Sequence, residues 1–285
     1  MLASMRLSCA VMLMLAGGAA GMWAQQEPRA RQDGKALEMV RVAEQTELKA
    51  AADDHTRWQF KDVDKKADGV TVSRVVETAN GALNKKIEVN GRKLGPEELR
   101  QEDARISAFV NNRELQTKQR KEDAADDRRA ERMLRMLPEA FLWSFAGDSG
   151  DTVTLGFVPN PEFHPPTMES RVFATMKGEI VVNKAQNRIR TIRGELTEDV
   201  KFGFGILGRM KKGGTFDVER RELAPGIWQI TESHVHIEGK AMMFKSIGEE
   251  DDEVKSEFRR VPEETTLEQA AGMLKGEPTT LSAMR

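Results

Sequence analysis

Two histidines one residue apart, His234 and His236, are the first residues in this chain whose types and spacing could do chemistry. On a strand, positions i and i+2 point to the same face, so both imidazoles would stand on one side, as a metal site requires, and His164 could supply a third nitrogen. No further His, Asp or Glu completes the set at a recognisable spacing. The plainer reading is two histidines on a half-exposed strand face, and no metal is assigned. Gly147-Asp148-Ser149-Gly150 could present a serine nucleophile with His55 as its base. A triad is defined by geometry, however, and His55 lies beside a helical segment, so the tetrapeptide reads as a polar hairpin turn. Gly203-Phe204-Gly205-Ile206-Leu207-Gly208 fits the dinucleotide fingerprint letter by letter, and Gly208 to Thr215 comes near a phosphate loop. Both need a strand–turn–helix setting, whereas Gly213-Gly214 follows at once and no Lys-Ser/Thr ending is present. Close backbone approach in a Gly-rich bend accounts for them. No catalytic residue and no cofactor are assigned, and the chain is read as non-enzymatic.

The elements that would position these residues are helix first and then mostly strand. Lys35 to Asp54 carries Leu37, Val40, Leu48 and Ala51 near helical spacing, without Gly or Pro. Trp58, Phe60 and Val63 follow as core candidates in a strand. Ala79-Asn80-Gly81-Ala82 and Asn90-Gly91 are hairpin signals, because Asn-Gly accepts positive φ. Gly95-Pro96-Glu97-Glu98 opens a helical insertion over 96–137, with Pro in the first turn and acids that complement the dipole. It is so densely and evenly charged that it reads as a solvated arm with many i,i+4 pairs, touching the body through Leu99, Ile106, Val110, Met133, Leu134 and Leu137 and ended by Pro138. Apolar alternation then recurs at Val153 to Phe157, Val172 to Met176, Ile180 and Val182, Phe216 and Val218, Met242 and Phe244, and Val254 with Phe258. Turns are read at 147–151, Lys177-Gly178, 184–187, Gly213-Gly214, Pro225-Gly226, Glu238-Gly239 and 248–252. Strands joined this way form an antiparallel meander covered on one face by helices, an α+β fold. Thr265-x-x-Glu268 is a capping-box pattern for a last helix through Leu274 within a C-terminal segment 263–285.

Met1 to Ala24 has the order of a secretory signal: a positive charge at Arg6, an apolar or small run from Leu7 to Ala20, and Ala24 before a polar stretch. Residues 25–262 are expected to form one exported domain, periplasmic or secreted. The only cysteine, Cys9, lies inside that signal, so the remainder has no disulfide, thiolate metal site or cysteine nucleophile. The chain has 44 basic and 46 acidic residues. Loss of Arg6 leaves a net charge of about −3, which argues against a general nucleic-acid binder. After the signal no run reaches the roughly 20 apolar residues of a membrane helix, so a soluble mature protein is expected.

The order of an opening helix, three strands, a helical insertion and a long antiparallel run resembles the half-barrel of the outer-membrane lipoprotein carrier superfamily. Met176 to Ile189 is similar to that superfamily's hairpin, in which a glycine precedes a strand that turns through a polar loop into an Arg-apolar pair. Phe157 to Pro166 and Asp199 to Gly208 resemble segments of uncharacterised secreted bacterial proteins. The resemblance implies a curved, unclosed sheet with an apolar surface beneath helices, able to hold an acyl chain or the lipid of a lipoprotein. Trp228 and Ile230 on one strand face, with Phe202, Phe204, Phe216, Met242 and Phe244, are the expected ligand-binding residues, and the chain's 15 methionines offer adaptable apolar surface. The alternative is an envelope scaffold that meets a protein partner through its charged arm.

Overall fold

A computed structural model describes residues 31–167, 169–202, 208–241 and 245–276. The signal-like segment lies outside them, as do 203–207 and 242–244. Helix α1 (Gly34–Asp53) begins where the Asp33 carboxylate accepts hydrogen bonds from the amides of Lys35 and Ala36. Strands β1 (Arg57–Lys66), β2 (Gly69–Thr78), β3 (Gly81–Val89) and the short β4 (Arg92–Lys93) follow. The tight β3–β4 turn is Asn90-Gly91, both residues at positive φ. The β2–β3 loop is Ala79-Asn80, with Gly81 already paired to Thr78.

The insertion is two helices, α2 (Pro96–Val110) and α3 (Arg113–Ala140), where one was expected. The break is chemical: Asn112 turns its side chain onto the amides of Glu114 and Leu115 and caps α3. Pro138 does not end the helix. It lies inside the last turn of α3, where its missing N–H removes a single hydrogen bond.

The rest of the chain is β5 (Phe141–Ser149), β6 (Thr152–Pro159), a 3₁₀ segment (Glu169–Thr175), β7 (Met176–Asn183), β8 (Arg188–Leu196), β9 (Val200–Phe202), β10 (Gly208–Met210), β11 (Thr215–Ala224), β12 (Ile227–Ala241), β13 (Lys245–Val261) and α4 (Leu267–Lys275). Three expectations change here, those on Val172 and Ala174, on three of the turns and on the last capping box. Val172 and Ala174 belong to the 3₁₀ segment, which starts beside Ser170, buried and hydrogen-bonded to Thr167. Lys177-Gly178, Glu238-Gly239 and 248–252 are not turns but lie inside β7, β12 and β13. The α4 capping box is Thr266 with Gln269, one residue later than expected. Gly208 opens an antiparallel strand rather than a helix, so the dinucleotide context is absent there.

Among the described residues thirteen strands form one antiparallel sheet, ordered β4-β3-β2-β1-β13-β12-β11-β8-β7-β6-β5, with β10 beside β12 and β9 beside β10. It is curved and unclosed, as expected of an α+β fold, and β3–β4 and β5 remain at opposite edges. The helices divide between its faces. Helix α1 and the end of α3 bury Phe141, Trp143, Leu155, Phe157, Ile180 and Val182 on one face, called here the core face. Helices α2 and α4 bury Val76, Leu83 and Val261 on the other. A buried triad locks α1 down: Arg188 reaches both Glu47 oxygens at 3.1 Å, Arg220 approaches at 2.7 Å, and the Ile189 amide donates at 2.7 Å. Among the described residues no helix is long and apolar enough to cross a membrane.

Candidate functional site

Residues directly opposite in an antiparallel ladder share a face, so the register can be read straight across the sheet. On the face opposite the core face one such row runs Ser144, Gly156, Glu179, Arg193, Asp217, His234, Asp252, Lys65. Its charges alternate and its ion pairs are loose at the centre, with Arg193 at 3.7 Å from Glu179 and 3.5 Å from Asp217. They tighten at the end: His234 Nδ1 and His236 Nε2 both lie 2.8 Å from Asp252 Oδ1, and Lys65 lies 3.1 Å from the other oxygen. Burial works against ionisation of Asp252, but hydrogen bonds from His234, Lys65 and His236 hold its carboxyl down to about 2.

A shallow groove of about 730 Å³ follows this row. It is lined by residues that include Gly156, Gly178, Gly194, Arg193, His234 and His236. The glycines belong to the packing. Gly178 pairs with Gly194, and a Cβ on either would meet an aromatic ring, Phe157 at 2.8 Å or Phe216 at 2.7 Å.

The core face behaves differently. One row runs Leu155, Ile180, Ile192, Val218, Ser233, Glu253, Asp64, and the next runs Phe157, Gly178, Gly194, Phe216, Val235, Asp251, Lys66. Both change from apolar to charged between β12 and β13. Beyond that line Asp62, Asp64 and Lys66 of β1 oppose Lys255, Glu253 and Asp251 of β13, four carboxylates against two ammonium groups. Lys255 lies 3.0 Å from Glu253, and Lys66 lies 2.5 Å from Asp64. Burial, and then the neighbouring Glu253, push Asp62 up to about 7. Nearby, Glu77 accepts the Trp58 amide at 3.0 Å and is also pushed up to about 7, by burial.

Phe216, half-buried, stands on the core face at the margin of the apolar cluster, its ring against Gly194. Trp228 and Ile230 lie toward the β11–β12 turn, away from Phe216. Trp228 is 8% exposed and its indole N–H donates to Gln186 at 2.9 Å, while Ile230 pairs with Arg220. Phe204, Met242, Phe244 and the side chain of Phe202 lie outside the described residues. Ser149 ends β5 at a two-residue hairpin turn, as its polar reading required, and His55 links α1 to β1. His164 lies in the loop after β6. The carboxylate partners of the histidines come from β13 and the acids of the core face from β1 and β13, strands far apart in sequence, so the sequence reading did not bring them together. The alternations Asp62-x-Asp64-x-Lys66 and Asp251-x-Glu253-x-Lys255 carried the signal, but only the β1–β13 pairing joins them.

Compared with known protein families, curated proteins and solved structures, the chain matches none.

Proposed function

We propose that this chain is an exported, non-enzymatic binding protein of the cell envelope, of the half-barrel lipoprotein-carrier type. Its ligand is an amphipathic molecule with an acyl chain and a cationic group, held against the core face of β11, β12, β13 and β1. The observation that carries this reading is the change along the two core-face rows from Ile192 and Phe216, through Val218 and Ser233, to Glu253, Asp251 and Asp64. An acyl chain gains from the apolar half. A cation gains from the surplus of carboxylate, in a half-buried setting where charge pairing is stronger than in water. Buried Asp62 and Asp64 oxygens without a hydrogen-bond partner give a donor or cation a place to act.

Dodecylammonium and dodecanoate, each added below its micelle-forming concentration and followed by tryptophan fluorescence, test the charge preference. The cationic chain should bind about tenfold or more tightly, a difference of 1.4 kcal/mol or more, and Glu253→Gln should narrow the gap without unfolding the protein. Equal affinities, or no saturable response to either, would sink the reading. A protein-interaction role has its own support in Phe145, 46% exposed on the edge strand β5. A native mass spectrum of protein taken from its own envelope separates the two: bound lipid supports carriage, and a stoichiometric protein partner without lipid supports interaction.

A further inference from the structure

We infer that His234, His236, Asp252 and Glu250 form a site for a borderline divalent transition cation of the Zn²⁺ class, on the face of the β12–β13 hairpin opposite the proposed ligand surface. The alternation of β12 sends both imidazoles to that face, and the register sets Asp252 opposite His234 and Glu250 opposite His236. The donor atoms of His236, Glu250 and Asp252 all lie within 4.8 Å of one another. His234 joins them through its Nδ1, 2.8 Å from the same Asp252 oxygen that His236 Nε2 approaches. Two ring nitrogens converging on one carboxylate oxygen each present a proton there. When a cation sits between them, each neutral ring carries its one proton on the far nitrogen, Nε2 of His234 and Nδ1 of His236, and turns a lone pair to the ion beside two carboxylates.

That donor set selects the metal class. Calcium and magnesium favour all-oxygen shells, whereas two imidazoles with carboxylate suit zinc, cobalt, nickel or copper. Outer support is in place as well. Glu232 stands 3.8 Å from Nε2 of His234, beyond a hydrogen bond but on the side of the ring away from Asp252, and Arg221 lies 2.7 Å from Glu232, so a small shift of the ring on ligation would bring that carboxylate within reach of the Nε2 proton. Without the ion, Lys65 is the counter-charge, 3.1 Å from both Glu250 and Asp252. Its side chain is 50% exposed and long enough to swing into water, so it competes with the cation without blocking it.

Cobalt(II), titrated into the full chain as a spectroscopic stand-in for zinc, tests the site. The expected result is a saturable, intense visible absorption of low-coordinate cobalt that zinc displaces. His236→Ala should weaken binding by about tenfold or more, Lys65→Met should strengthen it, and His164→Ala should leave it unchanged. Melting curves in chelator establish that each variant is folded, and zinc should raise the midpoint of the native chain but not that of His236→Ala. The inference fails if cobalt gives only the pale spectrum of the hydrated ion, if His236→Ala binds as well as the native chain, or if His164→Ala loses as much.

Discussion

Glu77 and Asp62 show what single side chains contribute here. Both carboxyls are pushed up to about 7, Glu77 by burial and Asp62 by burial and then Glu253. The folded chain therefore holds these protons more tightly than the unfolded chain, and their contribution is most favourable at low pH. It is lost as pH rises from the ordinary carboxylate range through about 7. Glu47 and Asp252 act in the opposite sense. Their arginine, histidine and lysine partners overcome burial and lower them, so what they contribute disappears in acid. Stability should peak in mildly acidic solution and fall toward pH 8. Glu77→Gln keeps an oxygen for the Trp58 amide but cannot ionise, so its melting temperature should fall less between pH 5 and pH 8 than that of the native chain; parallel curves would exclude the burial argument. The Glu47 triad gives a simpler test. Glu47→Ala leaves Arg188 and Arg220 buried without their carboxylate and should cost about 3–5 kcal/mol in urea unfolding.

Among the elements, β7 and β8 show how a sheet turns a glycine to another use. Gly178 and Gly194 face each other, and the rings of Phe157 and Phe216 lie across them. A methyl at Gly194 would stand 2.7 Å from both the Phe216 ring and the Lys177 carbonyl, and because one of those is backbone the strain cannot be relieved by a side-chain rotation. Gly194→Ala should destabilise by about 1–3 kcal/mol, as overpacking does, while leaving the β5–β6 hairpin intact by hydrogen exchange. The same pair shows what could be read from residues alone. Where Gly or Pro stands beside another turn former and the apolar alternation stops, as at Asn90-Gly91 and Pro225-Gly226, the turn was legible. Where alternation runs through the glycine, as at Lys177-Gly178 and Glu238-Gly239, the residue types are those of a turn, but the strand continues because an aromatic ring or a paired neighbour fills the space. Long β12 and β13 were thus cut short in the sequence reading. The carboxylates that complete the histidine site were lost with them, since pairing between distant strands leaves no local trace.

At the scale of the whole molecule, the two largest apolar clusters lie toward the ends of the sheet, smaller ones lie around Trp58 and Phe60 and around Leu196 and Val200, and a band of charged residues crosses β12, β13 and β1 between them. Helix α1 and α3 pack over Phe141, Leu155, Phe157 and Ile180 at one end, and α2 and α4 pack over Val76 and Leu83 at the other. The β12–β13 hairpin joins them, with His234, His236, Asp252 and Glu250 on one face and Ser233, Asp251 and Glu253 on the other. Over Ser233 to Glu238 the only apolar side chains are Val235 and Ile237, and over Glu250 to Glu253 there are none, so this stretch adds fewer packing contacts to its backbone hydrogen bonds than β6 and β7 do and opens at lower free energy than they do. Amide hydrogens of Val153 to Phe157 and Ile180 to Val182 should therefore exchange only through global unfolding. Those of Ser233 to Glu238 and Glu250 to Glu253 should exchange orders of magnitude faster, by local opening. Uniform protection across the sheet would mean that the ladder alone carries the hairpin and that its charged faces cost nothing. If the hairpin does open first, each proposed ligand should close it from its own side: zinc should slow exchange in the native chain but not in His236→Ala, and the cationic chain should slow it in the native chain but less in Glu253→Gln. Protection by one ligand that survives its matched substitution would remove that site from the hairpin while leaving the other standing.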